Sequence, residues 1–388
     1  MAVGVLMLCL GCVLLALAVH PFVTYPLSLS VLSALRPRPL RPTEAPPRTA
    51  ALCVCAYNEE RVIRAKAENM LALREAAPGL KLLAYVDAAT DRTAEILAEY
   101  AGRIHVISSS ERHGKTHGMN LLVSQTTADV IVFSDANVAF APDAVPALLA
   151  PFADPAVGVV CGHLTYRTPA GAATAETGSL YWRLEERIKA LETATGSVMG
   201  ADGSIFAVRR SLHMPPPPDL IDDMWVSLSA LCRGARVVRT GDAVAYEDAV
   251  SRPAEEFRRK VRIACQAFNV HRDLWPRLRT LPLLDRYKYV SHKLLRWLTA
   301  YFLAGGAVLV LAGLTLTGLG SAALALLCLG VGALTAVALA RRGPLAALRD
   351  VLGAFVATGI GVWRSLRGER FQTWNPPASS RGPATAAG

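Results

Sequence analysis

The chain has 388 residues, of which 52% are hydrophobic, and it carries a formal net charge of +10. The length allows two average domains, and the hydrophobic content is high for a purely soluble protein. The eight cysteines are scattered and show no metal-ligand spacing. Because the arginines cluster beside apolar segments, the positive charge points to anionic lipids as partners and not to nucleic acid.

The first predicted element is an N-terminal membrane anchor over residues 1–35. No charged side chain occurs between Ala2 and Val19, which is long enough to span a bilayer, and the apolar character continues to Leu35. A cleaved signal peptide is the alternative, since Ala16-x-Ala18 resembles a cleavage site, although no basic residues precede the apolar run. The basic residues that follow predict that the next domain is cytoplasmic. They are Arg36, Arg38, Arg41 and Arg48.

A Pro- and Arg-rich linker, residues 36–49, leads into a predicted central domain of residues 50–275. Short apolar runs alternate there with helical stretches, which is typical of βα units around a mainly parallel sheet. Strands are predicted at 51–56, 80–86, 104–108 and 130–134, and helices at 60–74, 93–100 and 118–124. The predicted fold class is therefore α/β, with transmembrane helices at both ends.

Three further segments are predicted after the central domain. Residues 276–297 form an amphipathic connector, and residues 298–340 form a transmembrane hairpin whose end is marked by Arg341-Arg342. Residues 341–388 contain one more apolar stretch, 351–362, and a tail. Because this stretch is short and follows Arg349-Asp350, which are costly inside hydrocarbon, an interfacial or re-entrant position is favoured over a third crossing.

Acidic side chains end two of the predicted strands. Asp87 and Asp135 each follow an apolar run, Asn137 lies two residues after Asp135, and the pair Asp222-Asp223 occurs downstream. The carboxyl edge of a parallel sheet is where α/β proteins bind ligands. Acids on several loops beside one sheet predict a phosphate-bearing ligand that is held through a divalent metal.

Five segments occur in the order and spacing seen in family 2 glycosyltransferases. They are Ala56-Tyr-Asn-Glu-Glu60, Val86-Asp-Ala-Ala-Thr-Asp-Arg-Thr93, Gly114-Lys-Thr-His-Gly-Met-Asn120, Ser134-Asp-Ala-Asn137 and Ile221-Asp-Asp-Met224. Over roughly residues 50–275 the chain resembles membrane-bound members of that family, similar to polysaccharide synthases and N-acetylglucosaminyltransferases of bacterial envelopes. The resemblance implies a GT-A-like nucleotide-sugar-binding domain.

The resemblance also implies which residues hold the donor. Nucleotide contacts fall on Tyr57, Asn58, Glu59 and Asp87, and Lys115 meets the diphosphate. An ordinary Asn-containing turn is the alternative for residues 57–59. Asp135 coordinates Mg²⁺ or Mn²⁺, and Asn137 supplies a neutral oxygen where the family commonly has a second acid.

Asp223 is implied as the general base that removes the acceptor hydroxyl's proton, and Asp222 either supports this geometry or caps the helix that follows. The acceptor contacts are Asp202 and Arg259, and Arg262 clamps the diphosphate. Ile263 occupies the position of the tryptophan in the QxxRW motif of processive synthases, which weakens the case for polymerisation. Residues 371–374 are interpreted as an interfacial aromatic segment that either touches the catalytic domain or anchors at the membrane surface.

Together these features predict an integral membrane glycosyltransferase with a cytoplasmic catalytic domain. The donor is a nucleotide-diphosphate sugar, with a UDP-sugar favoured, and the acceptor is a lipid or a saccharide. Two alternatives stay open. One is a nucleotidyl- or phosphotransferase, and the other is a non-catalytic membrane scaffold with a degenerate transferase domain. The departures that support the scaffold are Asn137, Ala88-Ala89 and the missing tryptophan at Ile263.

Overall fold

The computed structural model describes residues 1–47, 49–167, 174–248 and 253–373, with side chains described from residue 181 onward in the helix that begins at 174. The strands are β1 (Ala50–Ala56), β2 (Leu80–Asp87), β3 (His105–Ser109), β4 (Val130–Asp135), β5 (Val138–Phe140), β6 (Val157–Arg167), β7 (Ile205–Arg209) and β8 (Arg236–Asp248). The helices of the first half are α1 (Ala2–Val19), α2 (Thr24–Leu35), α3 (Ile63–Ala76), α4 (Thr93–Ala98), α5 (Lys115–Ser124) and α6 (Ala144–Leu149). Those of the second half are α7 (Thr174–Ala194), α8 (Asp222–Cys232), α9 (Pro253–Leu278), α10 (Leu283–Tyr289), α11 (Leu295–Leu316), α12 (Gly320–Leu339) and α13 (Gly343–Leu366).

The strands form one mixed sheet in the order β3-β2-β1-β4-β7-β6-β8-β5. The first four are parallel, as expected from the βα pattern. The other half departs from a mainly parallel arrangement, because β7 runs antiparallel to both β4 and β6, and β5 antiparallel to β8. Since Ser134 pairs with Ile205 in this reversed register, the segment before β7 lies at the same sheet edge as the end of β4.

Helices cover both faces of the sheet because successive strand side chains point to opposite sides. On one face Leu52 packs with Ala67 of α3 and with side chains of α4 and α6. On the other face Cys53 packs with Met119 of α5 and Leu228 of α8, and with α9. All seven residues of β1 are buried, which explains its continuous apolar sequence. With both faces covered, the loops at the carboxyl ends of the parallel strands form the open edge of the sheet.

Four helices within the described ranges are long and apolar enough to cross a membrane: Ala2–Val19, Leu283–Leu316, Gly320–Leu339 and Gly343–Leu366. The first of them, α1, lies antiparallel against α11 through paired glycines. Gly4 approaches Gly313, and Gly11 approaches Gly306, so closely that an added Cβ on Gly11 would lie 2.8 Å from Val310 Cγ2. Small residues allow such backbone approach in membrane helices. The N-terminal helix therefore packs closely against a membrane helix of the C-terminal half.

We expect Gly11→Leu to loosen this helix pair. The larger side chain has no room against α11, and overpacking of this kind costs about 1–3 kcal/mol. The matched control is Gly330→Leu on α12, where an added Cβ meets nothing within 4 Å. Thermal unfolding in lipid nanodiscs should show a lower Tm for Gly11→Leu than for the control. Equal Tm values would mean that the close α1–α11 packing contributes nothing to stability.

The C-terminal boundaries differ from those predicted. Residues 276–297 are not a separate connector, because α9 continues to Leu278 and one 34-residue helix then runs from Leu283 to Leu316 through a π-helical turn at Val290–Leu294. Pro282 stands at the N-cap, and no helix breaker follows to separate the polar part from the apolar part. The polar residues are thus the first turns of the membrane helix itself.

The last apolar stretch also belongs to a longer element. Residues 351–362 are the middle of α13, a 24-residue helix with enough apolar length to cross a bilayer, whereas the sequence favoured an interfacial or re-entrant segment. Arg349 makes an ion pair with Asp350, which lowers the cost that argued for the shorter segment. α13 packs against α9, where an added Cβ on Gly361 would lie 2.6 Å from Val261 O. Arg48 and Trp374, the last residue of the predicted interfacial segment 371–374, lie outside the described residues.

Candidate active site

The predicted site residues meet above the carboxyl ends of β1, β2 and β4. Asp135 is the last residue of β4, and Lys115 is the first residue of α5, where Gly114 enters the helix with φ +90°. Lys115 Nζ lies 2.7 Å from Asp135 Oδ1 and 3.6 Å from Asp222 Oδ1. Burial by itself would lower the pKa of Lys115, but Asp135 and Asp222 raise it overall. One ammonium therefore joins carboxylates that are far apart in sequence.

Asp222 and Asp223 are the first two residues of α8, as predicted. Of the two roles considered for Asp222, the structure shows the contact with Lys115 and no side-chain helix cap. Asp222 is 5% exposed, and its Oδ2 has no hydrogen-bond partner within the described residues. Burial raises the pKa of this carboxyl. A buried oxygen without a partner is energetically costly, so Asp222 Oδ2 can accept a hydrogen bond from one further donor.

The Asp223 carboxyl faces the segment that precedes β7. Its Oδ1 accepts a hydrogen bond from the Met224 backbone N–H at 2.6 Å. Its Oδ2 lies so close to Gly203 that an added Cβ there would be 2.8 Å away. Burial and the adjacent Asp222 raise the pKa of Asp223 to about 7. A carboxylate with this pKa accepts a proton readily near neutral pH.

Asp202 lies beside Asp223 and is held by a lysine that sequence reasoning missed. Lys189 Nζ is 3.6 Å from Asp202 Oδ2 and 3.3 Å from Glu186 Oε1. Burial by itself would lower the pKa of Lys189, but Asp202 raises it overall. The only signal in the sequence was a lysine three residues after an acid on α7. Nothing in its spacing pointed to Asp202.

The residues predicted to hold the nucleotide form the base of the loop at residues 112–114. Asp87 is fully buried, and it accepts hydrogen bonds from the His113 and Gly114 backbone N–H groups at 2.8 and 3.0 Å. Arg112 lies over the Tyr57 ring at 3.5 Å. Asp87 thus anchors the loop that leads into Lys115.

Asn58 and Glu59 connect this region to the neighbouring turn. Asn58 has φ +52°, and its Oδ1 accepts the Thr90 backbone N–H at 2.8 Å. The Glu59 backbone N–H donates to Thr93 Oγ1 at 2.8 Å. These bonds fit the turn that was the alternative for residues 57–59, and they fix the loop on which Tyr57 sits.

Arg259 and Arg262, the two arginines of α9 that were predicted to be functional, differ in their hydrogen-bond partners. Arg259 Nε donates to Glu256 Oε2 at 2.9 Å. Arg262 donates to Gln266 Oε1 at 3.1 Å and makes no ion pair within the described parts of the chain. Burial and the nearby Arg259 lower the pKa of Arg262. Arg262 is therefore the arginine that retains capacity for an anionic ligand.

Comparison with known proteins identifies the first part of the central domain. Residues 51–214 match the family Glycosyl transferase family 2. This segment is a family 2 glycosyltransferase domain. An N-acetylglucosaminyltransferase of Rhizobium sp. (strain N33) is 27% identical over 248 residues, and the match covers 60% of this chain and 54% of that protein. One from Sinorhizobium fredii is 26% identical over 266 residues, covering 64% of this chain and 63% of that protein. The chain thus spans about half to just under two thirds of these relatives.

A solved structure extends the comparison to the whole fold. The mannosyltransferase of Pyrobaculum calidifontis, in complex with GDP-Man and Mn²⁺, superposes with a TM-score of 0.73 at 20% identity, covering 94% of this chain and 99% of that one. At this level of identity the likeness shows the fold. The glycosyltransferase domain therefore has the GT-A architecture that the resemblance predicted, together with apolar helices at both ends.

Asp135 and Asn137 of the glycosyltransferase domain are the residues that could hold a divalent cation. No group of three or more His, Cys, Asp or Glu side chains gathers in metal-ligating geometry in the described ranges. Asn137 Nδ2 donates to Glu247 Oε1 at 3.0 Å, which leaves the amide oxygen as its donor atom for a cation. Asp135 and Asn137 thus offer hard oxygen ligands, which suit Mg²⁺ or Mn²⁺ when substrate phosphates and water complete the coordination. The donor set fits such an ion.

Glu247 and Lys66 surround the same turn of the glycosyltransferase domain, and neither was predicted. Glu247 lies opposite Val138 in the β5–β8 pair, and burial raises its pKa to about 7. Lys66 Nζ is buried and donates to Ser134 Oγ and Val138 O, both at 2.6 Å. Burial lowers the pKa of Lys66 to about 7. Lys66 is a positioning residue for the turn that bears Asp135 and Asn137.

Residues 369–372, here the C-terminal strap, reach the candidate site from the end of α13. Gln372 Nε2 donates to His113 O at 3.2 Å, and its own carbonyl oxygen lies 2.1 Å from where a Gly114 Cβ would be. Arg370 Nη1 donates to Asp219 Oδ2 at 2.8 Å. Of the two interpretations of residues 371–374, the described part of the segment shows the contact with the catalytic domain, made by Gln372 against the loop that leads into Lys115.

Proposed function

We propose that this chain is an inverting membrane glycosyltransferase that uses a nucleotide-diphosphate sugar. The observation that carries the proposal is the convergence of Lys115 on both Asp135 and Asp222, with Asp223 next to them. A cation, a metal-binding carboxylate and a proton acceptor are what glycosyl transfer from a diphosphate requires. The family 2 domain supplies the wider context.

In the proposed reaction the acceptor hydroxyl gives its proton to Asp223 as its oxygen attacks the anomeric carbon. The new carbon–oxygen bond forms on the face opposite the bond to the diphosphate, which breaks with its electron pair on the leaving phosphate oxygen. Lys115 and Arg262 stabilise the charge that develops on that oxygen. Asp135 and Asn137 would hold a divalent cation, which when bound adds positive charge at the diphosphate.

The donor is proposed to be UDP-N-acetylglucosamine. Support comes from the curated relatives, which are named N-acetylglucosaminyltransferases. GDP-mannose is the comparison donor, because the Pyrobaculum calidifontis protein was solved with it. The acceptor is a lipid or saccharide hydroxyl at the membrane surface, and we place the catalytic domain on the cytoplasmic side because arginines flank the membrane segments.

A transfer assay on the full chain in nanodiscs tests the proposal. Labelled UDP-N-acetylglucosamine and GDP-mannose are supplied with Mn²⁺, Mg²⁺ or a chelator, and native membrane lipids serve as the acceptor pool. We expect labelled sugar in the product, dependent on the divalent cation. Transfer of a nucleotide or phosphate group to the acceptor would instead favour a nucleotidyl- or phosphotransferase. Nucleotide binding without any transfer or donor hydrolysis would favour a non-catalytic scaffold.

The pH dependence follows from the base. With the pKa of Asp223 raised to about 7, only the deprotonated fraction is active. Below that pH we expect kcat/KM to fall by about tenfold per pH unit, and above it to level off. The control is the Asp223→Asn variant, whose residual rate should not show this fall below pH 7. A wild-type rate that rises as the pH falls below 7 would remove Asp223 from the role of base.

A further inference from the structure

A buried charge cluster lies where α7 meets the first turns of the helix Leu283–Leu316. Arg296 pairs with Glu185, and His292 contacts Glu185 and Glu192 at 3.0 and 2.8 Å. Its two ring nitrogens thus bridge the two carboxylates. Burial alone would raise the pKa of Glu185, but Arg296 and His292 lower it well below its usual value. The cluster's carboxylates are therefore ionised and paired.

The neighbouring acids are paired as well. Arg239 contacts Glu186 at 2.5 Å, and Lys189 lies 3.6 Å from Asp202. Lys293 differs, because its ammonium makes no hydrogen bond or ion pair with any residue that the structure describes. It is half-buried, on the same turn as His292. The cluster thus contains one lysine whose ammonium is not in direct contact with a carboxylate in the described ranges.

Lys293 is directed toward the segment that leads to the proposed base. Its Cε and Nζ lie 3.5 and 3.8 Å from the position of a Cβ on Gly200. Three residues later, an added Cβ on Gly203 would lie 2.8 Å from Asp223 Oδ2. Since three residues span at most about 11 Å, Lys293 and Asp223 border one short stretch of chain. A sugar that is joined to a phosphate can bridge such a separation.

The position of Lys293 along its helix matches the depth of lipid phosphates. The charged residues of this helix end at Arg296, and the apolar part begins at Trp297. Lys293 precedes Trp297 by four residues, an axial rise of about 6 Å. Because charged groups avoid the hydrocarbon, the boundary of the bilayer falls near Trp297. By this argument Lys293 lies at the headgroup level, on the side of the helix that faces Gly200.

We propose that Lys293 binds the phosphate of a lipid-linked acceptor, so that the acceptor is a saccharide joined to its lipid through a phosphate or diphosphate. This inference rests on the proposed glycosyltransferase function and names the acceptor class. The lipid phosphate meets Lys293 at the membrane surface while a sugar hydroxyl reaches Asp223. Lys293 acts on binding, as a point charge for phosphate, and takes no part in proton transfer.

The test compares acceptors and variants in nanodiscs of neutral phospholipid. The acceptors are a saccharide on a lipid diphosphate, the same saccharide on a neutral alkyl chain, and a water-soluble sugar phosphate. The variants are Lys293→Gln, Lys293→Arg and, as matched control, Arg286→Gln, which removes an exposed charge two turns earlier on the same helix. Donor hydrolysis by water reports the donor site independently of any acceptor.

We expect Lys293→Gln to raise KM for the lipid diphosphate acceptor by about tenfold, with kcat and donor hydrolysis unchanged, and Lys293→Arg to restore most of the affinity. Equal use of the neutral acceptor by wild type, or an unchanged KM in Lys293→Gln, would overturn the inference while leaving the glycosyltransferase function intact. Preference for the soluble sugar phosphate would overturn the lipid assignment. Absence of both transfer and donor hydrolysis in wild type would instead refute the proposed function.

Discussion

Asp223→Asn is expected to lower sugar transfer by about 10²- to 10⁴-fold, the usual contribution of general base catalysis. The amide has nearly the same shape and can still accept the Met224 backbone N–H, so the start of α8 should remain folded. It cannot take the proton of the acceptor hydroxyl. Because the donor contacts lie on Lys115 and Asp135, the affinity for nucleotide should change little. Steady-state kinetics and nucleotide titration on the same preparation measure both effects.

The matched control for this variant is Asp143→Asn. Asp143 is exposed at the start of α6 and makes no side-chain cap bond there, so its variant should transfer sugar at the wild-type rate. If the rate of Asp223→Asn were within a few fold of this control, another residue would have to be the general base. Loss of nucleotide affinity in Asp223→Asn would also contradict the separation of donor and acceptor roles.

Asp135→Asn is expected to reduce transfer by about 10²- to 10³-fold, a loss comparable with that of one preorganised electrostatic contact in a transition state. Its signature should differ from that of Asp223→Asn. Removing the carboxylate takes a charge from the proposed cation site and the nearest acid from Lys115, which lies 2.7 Å away. Nucleotide affinity should therefore fall, and the half-saturating concentration of Mn²⁺ should rise.

Asp129→Asn serves as the control for Asp135→Asn, because Asp129 is exposed just before the opposite end of β4, where it accepts a hydrogen bond from Thr49 Oγ1. We expect its metal dependence to equal that of wild type. Unchanged Mn²⁺ dependence in Asp135→Asn would mean that the cation, if required, is held by other residues. Calorimetric titration of nucleotide at several Mn²⁺ concentrations makes the comparison.

The parallel half of the sheet could be predicted from sequence because its strands are short, apolar and separated by helical stretches. The predicted strand at 80–86 is observed as Leu80–Asp87, and the one at 130–134 as Val130–Asp135. Because an acid ends each run, the sequence alone is enough to predict Asp87 and Asp135 at the sheet edge. The helix that starts at Asp222 was also predicted, since the acid pair stands at its N-terminus.

The other half of the site depends on contacts between distant segments. Glu247 meets Asn137 because β5 pairs with β8, a pairing between residues more than a hundred positions apart. Lys66 supports the β4–β5 turn from α3, and local periodicity identifies its helix but not its partners. Lys293 was assigned to a connector because the sequence could not show that the polar and apolar segments form one continuous helix.

The stereochemistry of the product tests the central claim most directly. Wild-type protein in nanodiscs is given UDP-N-acetylglucosamine, whose sugar is α-linked to the diphosphate, and the linkage of the transferred sugar is read from the anomeric proton coupling by NMR. A single displacement assisted by Asp223 predicts a β-linked product. An α-linked product, or no transfer from any nucleotide sugar supplied, would contradict the proposed inverting glycosyltransferase.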